Sequence, residues 1–208
     1  MTAIAATPLR PSAHAGRTPT AFPAWTVLLG GCALIAFAAG SLFQYDRGAI
    51  LSGQWWRAAT GHLTHWSFDH LFWDAAVFAA LGALAERRSR AAFLQCTAGA
   101  AVLISAGLWL LRPDVTHYRG LSGIDSALFV MTATSACADA LSSGRPRTAA
   151  LAALALALFG AKVLWELATG SAVFVDAPAA GFEPLPLAHA LGAAAGAAAG
   201  LLSHRRGR

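Results

Sequence analysis

Six apolar runs dominate this sequence, and each has the length of a membrane-spanning helix. A helix needs about 20 apolar residues to cross the roughly 30 Å hydrocarbon core of a bilayer. Only 12% of the residues are charged, whereas soluble domains carry about 25%. We therefore expect an all-α membrane protein, a bundle of six transmembrane helices in contact with the lipid bilayer. The six runs are residues 22–43, 68–85, 91–111, 122–141, 148–168 and 185–202.

The runs divide the chain into one membrane domain and two short tails. Residues 1–21 are rich in Ala, Pro, Thr and Ser, a composition typical of a flexible tail. The predicted membrane domain covers residues 22–203, and a basic tail follows at 204–208. The first run is longer than the 7–15 residue core of a signal peptide, so we expect it to be retained as a helix.

The basic residues are distributed unevenly between the two sides of the predicted bundle. Ten of the fifteen lie in the two tails and in the connections between helices two and three and between helices four and five. Lys162 lies within helix five, and only four basic residues lie in the other connections. This positive-inside bias predicts that both termini are cytoplasmic. Because the basic residues act as orientation signals, we expect no nucleic-acid partner.

Three separated helices are expected to place polar side chains at one depth. Ser122 opens the fourth helix, and His189 lies about four residues into the sixth. His70 and Asp74 lie near the start of the second. With both termini cytoplasmic, all three helices begin at the outer surface. The sequence therefore predicts a polar site one to two turns below that surface.

Ser122 and His189 have the chemistry of a nucleophile and its general base. Gly120 and Gly123 flank the serine, allowing a tight turn and close approach of another chain. Unpaired backbone N–H groups at the helix start can face a developing negative charge. The alternatives are a serine that caps its helix and a histidine bonded within the bundle, although polar residues inside membranes are usually functional.

Four further side chains are candidates to support this pair. His70 and Asp74 share one helical face and could stabilise an oxyanion, for which Asp74 would have to be protonated. They could equally make structural bonds. Asp125 and Ser126 lie three and four residues after the serine, where either could orient His189 or bond within the bundle.

Lys162 and Glu166 form an i, i+4 pair in the outer half of the fifth helix. Because a charge inside the membrane is costly, we expect the two to pair. Lys162 is also a candidate to bind an anionic group of a substrate.

Glycine recurs every fourth residue of the last helix, at Gly192, Gly196 and Gly200. Such a stripe favours close packing of a second helix, which we predict to be the fourth. Low sequence complexity in an alanine-rich segment is the alternative explanation.

A metal site is not expected. His62, His65 and His70 lie close together in sequence, but their spacing is not that of a helical zinc motif. We predict no metal and no cofactor.

Several short motifs follow one another along the chain in a specific order: Trp56-Arg57, His65, His70-Leu71-Phe72-Trp73-Asp74, Gly120-Leu121-Ser122-Gly123, Ala188-His189-Ala190-Leu191-Gly192 and Gly196. On these residues the chain resembles the rhomboid intramembrane serine proteases across the second to sixth helices. The resemblance implies a six-helix core and a Ser122–His189 dyad that opens to the outer face and cleaves transmembrane substrates near their outer ends. It also implies that His70 helps to form the oxyanion hole, and it makes a bacterial inner membrane the expected location.

Two positions depart from that family. Asparagine is usual where Asp74 stands, and an aromatic residue is frequent where Ser126 stands. The short chain and Lys162 with Trp165-Glu166 look more like the rhombosortase branch, which is thought to cleave C-terminal sorting segments of exported proteins. An inactive rhomboid-like protein that binds membrane partners is the alternative, and a small transporter is a weaker one.

Overall fold

The computed structural model describes residues 22–171 and 183–206, and this part of the chain is mostly helical. The predicted N-terminal tail, the end of the C-terminal tail and most of the connection before the last helix lie outside the described residues. Two-residue strands β1 (Tyr45–Asp46) and β2 (His117–Tyr118) pair antiparallel. The helices are α1 (Ala24–Ala38), α2 (Arg47–Leu51), α3 (Arg57–Thr60), α4 (Phe68–Arg88), α5 (Arg90–Leu111), α6 (Ser122–Ser142), α7 (Pro146–Thr169) and α8 (Pro186–Arg206).

Within the described residues, five helices, α4 to α8, are long and apolar enough to cross a membrane. Their bounds agree with the predicted second to sixth helices to within four residues. The basic segment predicted as a connection after residue 85 instead continues α4 to Arg88. Ser89 then separates α4 from α5, and its side chain caps α5 by accepting the N–H of Ala92 at 3.2 Å.

The first predicted helix is shorter than its apolar run. Helix α1 has 15 residues, which corresponds to about 22 Å, less than the roughly 30 Å of a hydrocarbon core. It ends because Gly40 adopts a left-handed conformation with φ of 63° and starts a short 3-10 turn. Sequence hydropathy therefore located the helix but extended it five residues too far, to residue 43.

Helix α8 packs against α6 through its glycine stripe, as predicted. A Cβ atom on Gly192 would lie 1.9 Å from the Gly123 carbonyl oxygen, and one on Gly196 would lie 2.2 Å from that of Ala127. Both distances are shorter than any real contact, so only glycine permits this approach. The backbones of α6 and α8 are therefore in direct contact along the stripe.

The segments before α4 and before α6 are tied to each other at one end of the bundle. The β1–β2 pairing joins them, and a Cβ on Gly61 would lie 2.6 Å from the Tyr45 nitrogen. Arg119 donates to the Gln44 side chain at 2.8 Å and stacks over Trp66, with 4.5 Å between its guanidinium carbon and the ring centroid. These contacts hold the chain immediately before Ser122 in a defined place.

Candidate functional site

A cavity of about 880 Å³ lies at the end of the bundle where α4, α6 and α8 begin and α7 ends. The segment between α5 and α6 contributes Arg112, Asp114 and Arg119 to its wall, so part of its lining is charged. The side chains singled out from the sequence all reach it: His70, Asp74, Ser122, Asp125, Ser126, Lys162 and His189. Gly120 and Gly123 flank Ser122.

Ser122 and His189 come to this cavity from two helices whose backbones touch beside them. Ser122 is the first residue of α6, and His189 is the fourth residue of α8. A Cβ on Gly123 would lie 3.1 Å from the Ala188 carbonyl oxygen, so the residue after the serine contacts the residue before the histidine. In the part of the chain that the structure describes, no hydrogen bond joins the Ser122 hydroxyl to His189. Such bonds are often long before substrate binds.

The Asp74 carboxylate faces several hydrogen-bond donors at the start of α6. Its Oδ2 accepts the Ser122 backbone N–H at 3.0 Å. The same oxygen lies 3.2 Å from His65 Nε2 and 3.3 Å from His70 Nε2. An acceptor-only carboxylate suits a position where donors converge. The oxygen therefore marks a point where the protein can hold a negatively charged oxygen atom.

The local sequence explains why His70 and Asp74 reach this point. The side chain of Ser67 caps α4 by accepting the His70 N–H at 3.1 Å, which fixes the first turn. Gly120 has a φ of 131°, and a Cβ there would lie 3.0 Å from His70 Nε2 and 3.4 Å from Asp74 Oδ2. A glycine is needed both for this backbone conformation and for the close approach.

Tyr118 helps to shape the turn before Ser122. Its hydroxyl donates to the Gly120 carbonyl oxygen at 3.0 Å. Burial, with a smaller contribution from the nearby Asp74 and Asp125 carboxylates, raises the pKa of Tyr118 well above its usual value. The hydroxyl therefore stays protonated and keeps donating to the turn at any physiological pH.

The two residues that follow the serine on α6 are placed differently. The Ser126 hydroxyl donates to the Ser122 carbonyl oxygen at 2.8 Å. Asp125 is buried, and its Oδ1 has no hydrogen-bond partner among the described residues. Neither residue makes a hydrogen bond to His189 in that part of the chain.

The partner of His189 is Glu166, to which the sequence analysis assigned no role at the site. Glu166 Oε2 lies 2.7 Å from His189 Nδ1, and its Oε1 lies 2.9 Å from Lys162 Nζ. Lys162 Nζ is also 3.2 Å from His189 Nδ1. The predicted Lys162–Glu166 pair does form. The signal for Glu166 was present in the sequence, because an acid in an apolar helix at the depth of the site is itself a candidate functional residue.

Across the described ranges 22–171 and 183–206, no group of three or more His, Cys, Asp or Glu side chains has a metal-binding arrangement. Several polar groups of the cavity are instead bonded to one another or to the backbone, as Asp74 and Glu166 are. Side chains of these types can supply a nucleophile, a base and donors for a developing anion.

A family model described as "Rhomboid domain" matches residues 52–206, about three quarters of the chain. The match begins before α3 and runs to the end of α8, so it includes every candidate site residue. Helix α1, β1 and α2 lie outside it. No curated protein matches the chain.

Proposed function

Because the chain belongs to the rhomboid family of intramembrane serine proteases and is an integral, multi-pass membrane protein, we propose that it cleaves membrane-embedded polypeptides with Ser122 and His189. The observation that carries this proposal is the meeting of the two residues at one cavity, beside the backbone contact of Gly123 with Ala188. This backbone contact supports the proposal because it limits how far apart the two side chains can lie, and catalysis depends on such positioning.

The mechanism is acyl transfer from a peptide bond to the serine and then to water. The Ser122 oxygen attacks the peptide carbonyl carbon while His189 takes the hydroxyl proton. His189 then gives that proton to the leaving amine, and the carbon–nitrogen bond breaks. A water molecule, deprotonated by the same histidine, then attacks the acyl carbon, and the bond to the Ser122 oxygen breaks as that oxygen takes the proton back from His189. Charged residues in the cavity wall favour entry of this water.

The oxyanion formed in each step is held by the donors that now surround Asp74 Oδ2. The Ser122 N–H and His70 converge there, so the carboxylate must turn away before a substrate oxygen can take its place. Once protonated, the displaced carboxyl group can itself donate to that oxygen. Losing a single oxyanion donor typically costs about 10²–10³ in rate, so these contacts are large contributors to turnover.

The charge bias and the position of the cavity support the proposed orientation, and membership of the rhomboid family supports the proposed substrates. With α4 to α8 spanning the membrane and the end of α8 cytoplasmic, the cavity opens to the outer face of a bacterial inner membrane. In this arrangement the short helix α1 crosses as a sixth span with the membrane thinned around it, so that both termini are cytoplasmic. The substrates are transmembrane segments of membrane or exported proteins, cut near their outer ends. C-terminal sorting segments are candidates, as in the rhombosortase branch. Mass spectrometry of new C-termini, with and without the gene, identifies them.

The deciding experiment is labelling of the purified protein with a fluorophosphonate, which reacts with activated serines. We expect labelling of the wild type and none of Ser122→Ala, with His189→Gln also unlabelled. Ser135→Ala is the matched control, because Ser135 is a buried serine of the same helix that lies outside the cavity. Labelling that survives in Ser122→Ala contradicts the assignment of the nucleophile.

The alternative is an inactive rhomboid-like protein that binds membrane partners without cutting them. One observation favours it: the Asp74 carboxylate holds the Ser122 N–H that an oxyanion needs. This alternative predicts that the wild type does not label under conditions in which it is folded.

A further inference from the structure

The last turn of helix α7 brings the Glu166 carboxylate to the His189 ring. We propose that Glu166 is a positioning residue that fixes the ring and the tautomer of His189, so that the protein operates with a Ser122–His189–Glu166 triad inside the membrane. The inference rests on the proposed function and adds to it a third residue and a stated role.

The geometry of Glu166 is that of an orienting carboxylate. Oε2 lies 2.7 Å from His189 Nδ1, a short distance typical of charge-assisted bonds. Glu166 is 1% exposed, so the surrounding side chains fix the orientation of its carboxylate. The second oxygen is held by Lys162 at 2.9 Å, which leaves the carboxylate no freedom to turn away from the ring.

The two contacts at Nδ1 require different tautomers. If Nδ1 carries the proton, it donates to Glu166, and Nε2 is left with a lone pair that can accept the serine proton. If Nδ1 instead accepts from Lys162, Nε2 carries the proton and cannot act as a base. The Glu166 contact is shorter, at 2.7 Å against 3.2 Å for Lys162. The geometry therefore selects the tautomer in which His189 is a competent base.

No other acid of the described residues takes this place. Asp125 and Asp74 line the same cavity from α6 and α4 but make no hydrogen bond to His189, and His70 lies beside Asp74. Lys162 is the cation that offsets the charge of Glu166. A buried acid in a membrane helix is costly unless it is paired, and this pair places one oxygen on Lys162 and the other on the ring.

The test separates orientation of His189 from simple charge pairing with Lys162. We measure the maximal rate of fluorophosphonate inactivation and the concentration for half-maximal rate, per unit of folded full-length protein. In serine proteases, changing the orienting carboxylate to its amide lowers kcat by about 10⁴. For Glu166→Gln we expect the maximal rate to fall by at least about 10², with the half-maximal concentration unchanged.

The double variant Lys162→Gln with Glu166→Gln is the informative comparison. If Glu166 serves only to neutralise Lys162, removing both charges restores the rate. If it orients His189, the double variant stays as slow as Glu166→Gln. The double variant also decides the matter where Glu166→Gln alone folds poorly, because it leaves no unpaired charge.

Glu86→Gln is the matched control, since Glu86 is a buried glutamate at the opposite end of α4 with no part in the cavity. Its labelling rate should equal that of the wild type. A rate within threefold of the wild type for Glu166→Gln, or for the double variant, overturns the proposal. A wild type that does not label overturns the proposed function instead, so the two failures are distinguishable.

Discussion

Replacing Gly192 by alanine tests whether backbone contact between α6 and α8 sets the geometry of the site. The new Cβ would lie 1.9 Å from the Gly123 carbonyl oxygen, and real Cβ atoms essentially never come closer than 3.0 Å. The helices must therefore separate locally by about 1.1 Å. Gly123 follows Ser122, and Gly192 lies one turn beyond His189, so the displacement falls on the pair itself.

Two magnitudes follow from that displacement. Overpacking of a tight core typically costs about 1–3 kcal/mol of stability. A misplacement of reacting groups by about 1 Å can cost about 10² in rate. Gly192→Ala should therefore lower the fluorophosphonate labelling rate by about 10²-fold while the protein, though less stable, still folds.

Alanine variants of the other two stripe glycines provide a graded comparison. Gly196→Ala brings a Cβ to 2.2 Å from a carbonyl oxygen, and Gly200→Ala brings one to 3.0 Å. The losses of labelling rate and of stability should therefore become smaller from Gly192 to Gly196 to Gly200. Gly99 on α5 has nothing within 4 Å of its Cβ position, and Gly99→Ala should keep the wild-type rate and stability or gain up to about 1 kcal/mol. Labelling rate and thermal midpoint are measured for all four variants.

The series has a clear refuting result. If Gly192→Ala labels and unfolds like Gly99→Ala, the α6–α8 contact does not set the separation of Ser122 and His189. If Gly192→Ala lowers stability but leaves the labelling rate unchanged, the glycine stripe matters for helix packing and not for the geometry of the site.

Three other predictions concern the oxyanion site, a buried loop histidine and the start of α1. Asp74→Asn should label at least as fast as the wild type, because the amide carries no charge to repel an oxyanion and its NH2 group can donate to one. Its pH profile should be flatter, because an amide does not titrate. A folded but unlabelled variant would assign Asp74 another role. Burial lowers the pKa of His62 from 6.5 to about 4. The unfolded chain therefore binds a proton at this residue more readily than the folded protein does. The free energy of unfolding should fall by about 3 kcal/mol as the pH drops from 6.5 toward 4. Thermal unfolding of the wild type and His62→Gln measures this, and equal pH dependence would refute it. The Glu86 carboxylate caps the start of α1 by accepting the Thr26 N–H at 2.8 Å and the Thr26 hydroxyl at 2.9 Å. Glu86→Gln should therefore lower the free energy of unfolding by about 1 kcal/mol, measured as a lower thermal midpoint. An unchanged midpoint would show that this cap contributes nothing.

The sequence by itself predicted the five long helices α4 to α8 and singled out polar residues that line the cavity. Apolar runs of membrane-spanning length predicted α4 to α8, because a helix in lipid must satisfy its backbone internally and exclude charge. The same rule makes the few polar residues inside those runs conspicuous, which is why Ser122, His189 and Asp74 could be chosen without coordinates. The glycine stripe of α8 likewise predicted a face for close helix packing, since small residues recurring at every fourth position lie on one side of a helix. The fourth helix was the predicted partner, and α6 does pack there.

The tertiary structure alone decided which polar groups meet. The sequence offered Asp125 and Ser126 as neighbours of His189, because they are close to Ser122 along one helix. The structure instead joins His189 to Glu166, which comes from another helix and has no sequence relation to it. It also turns the Ser122 N–H toward Asp74. Sequence periodicity shows which residues share a helical face. The rotation of each helix about its axis depends instead on side-chain packing among all the helices of the bundle. That rotation determines which polar side chains from different helices form hydrogen bonds.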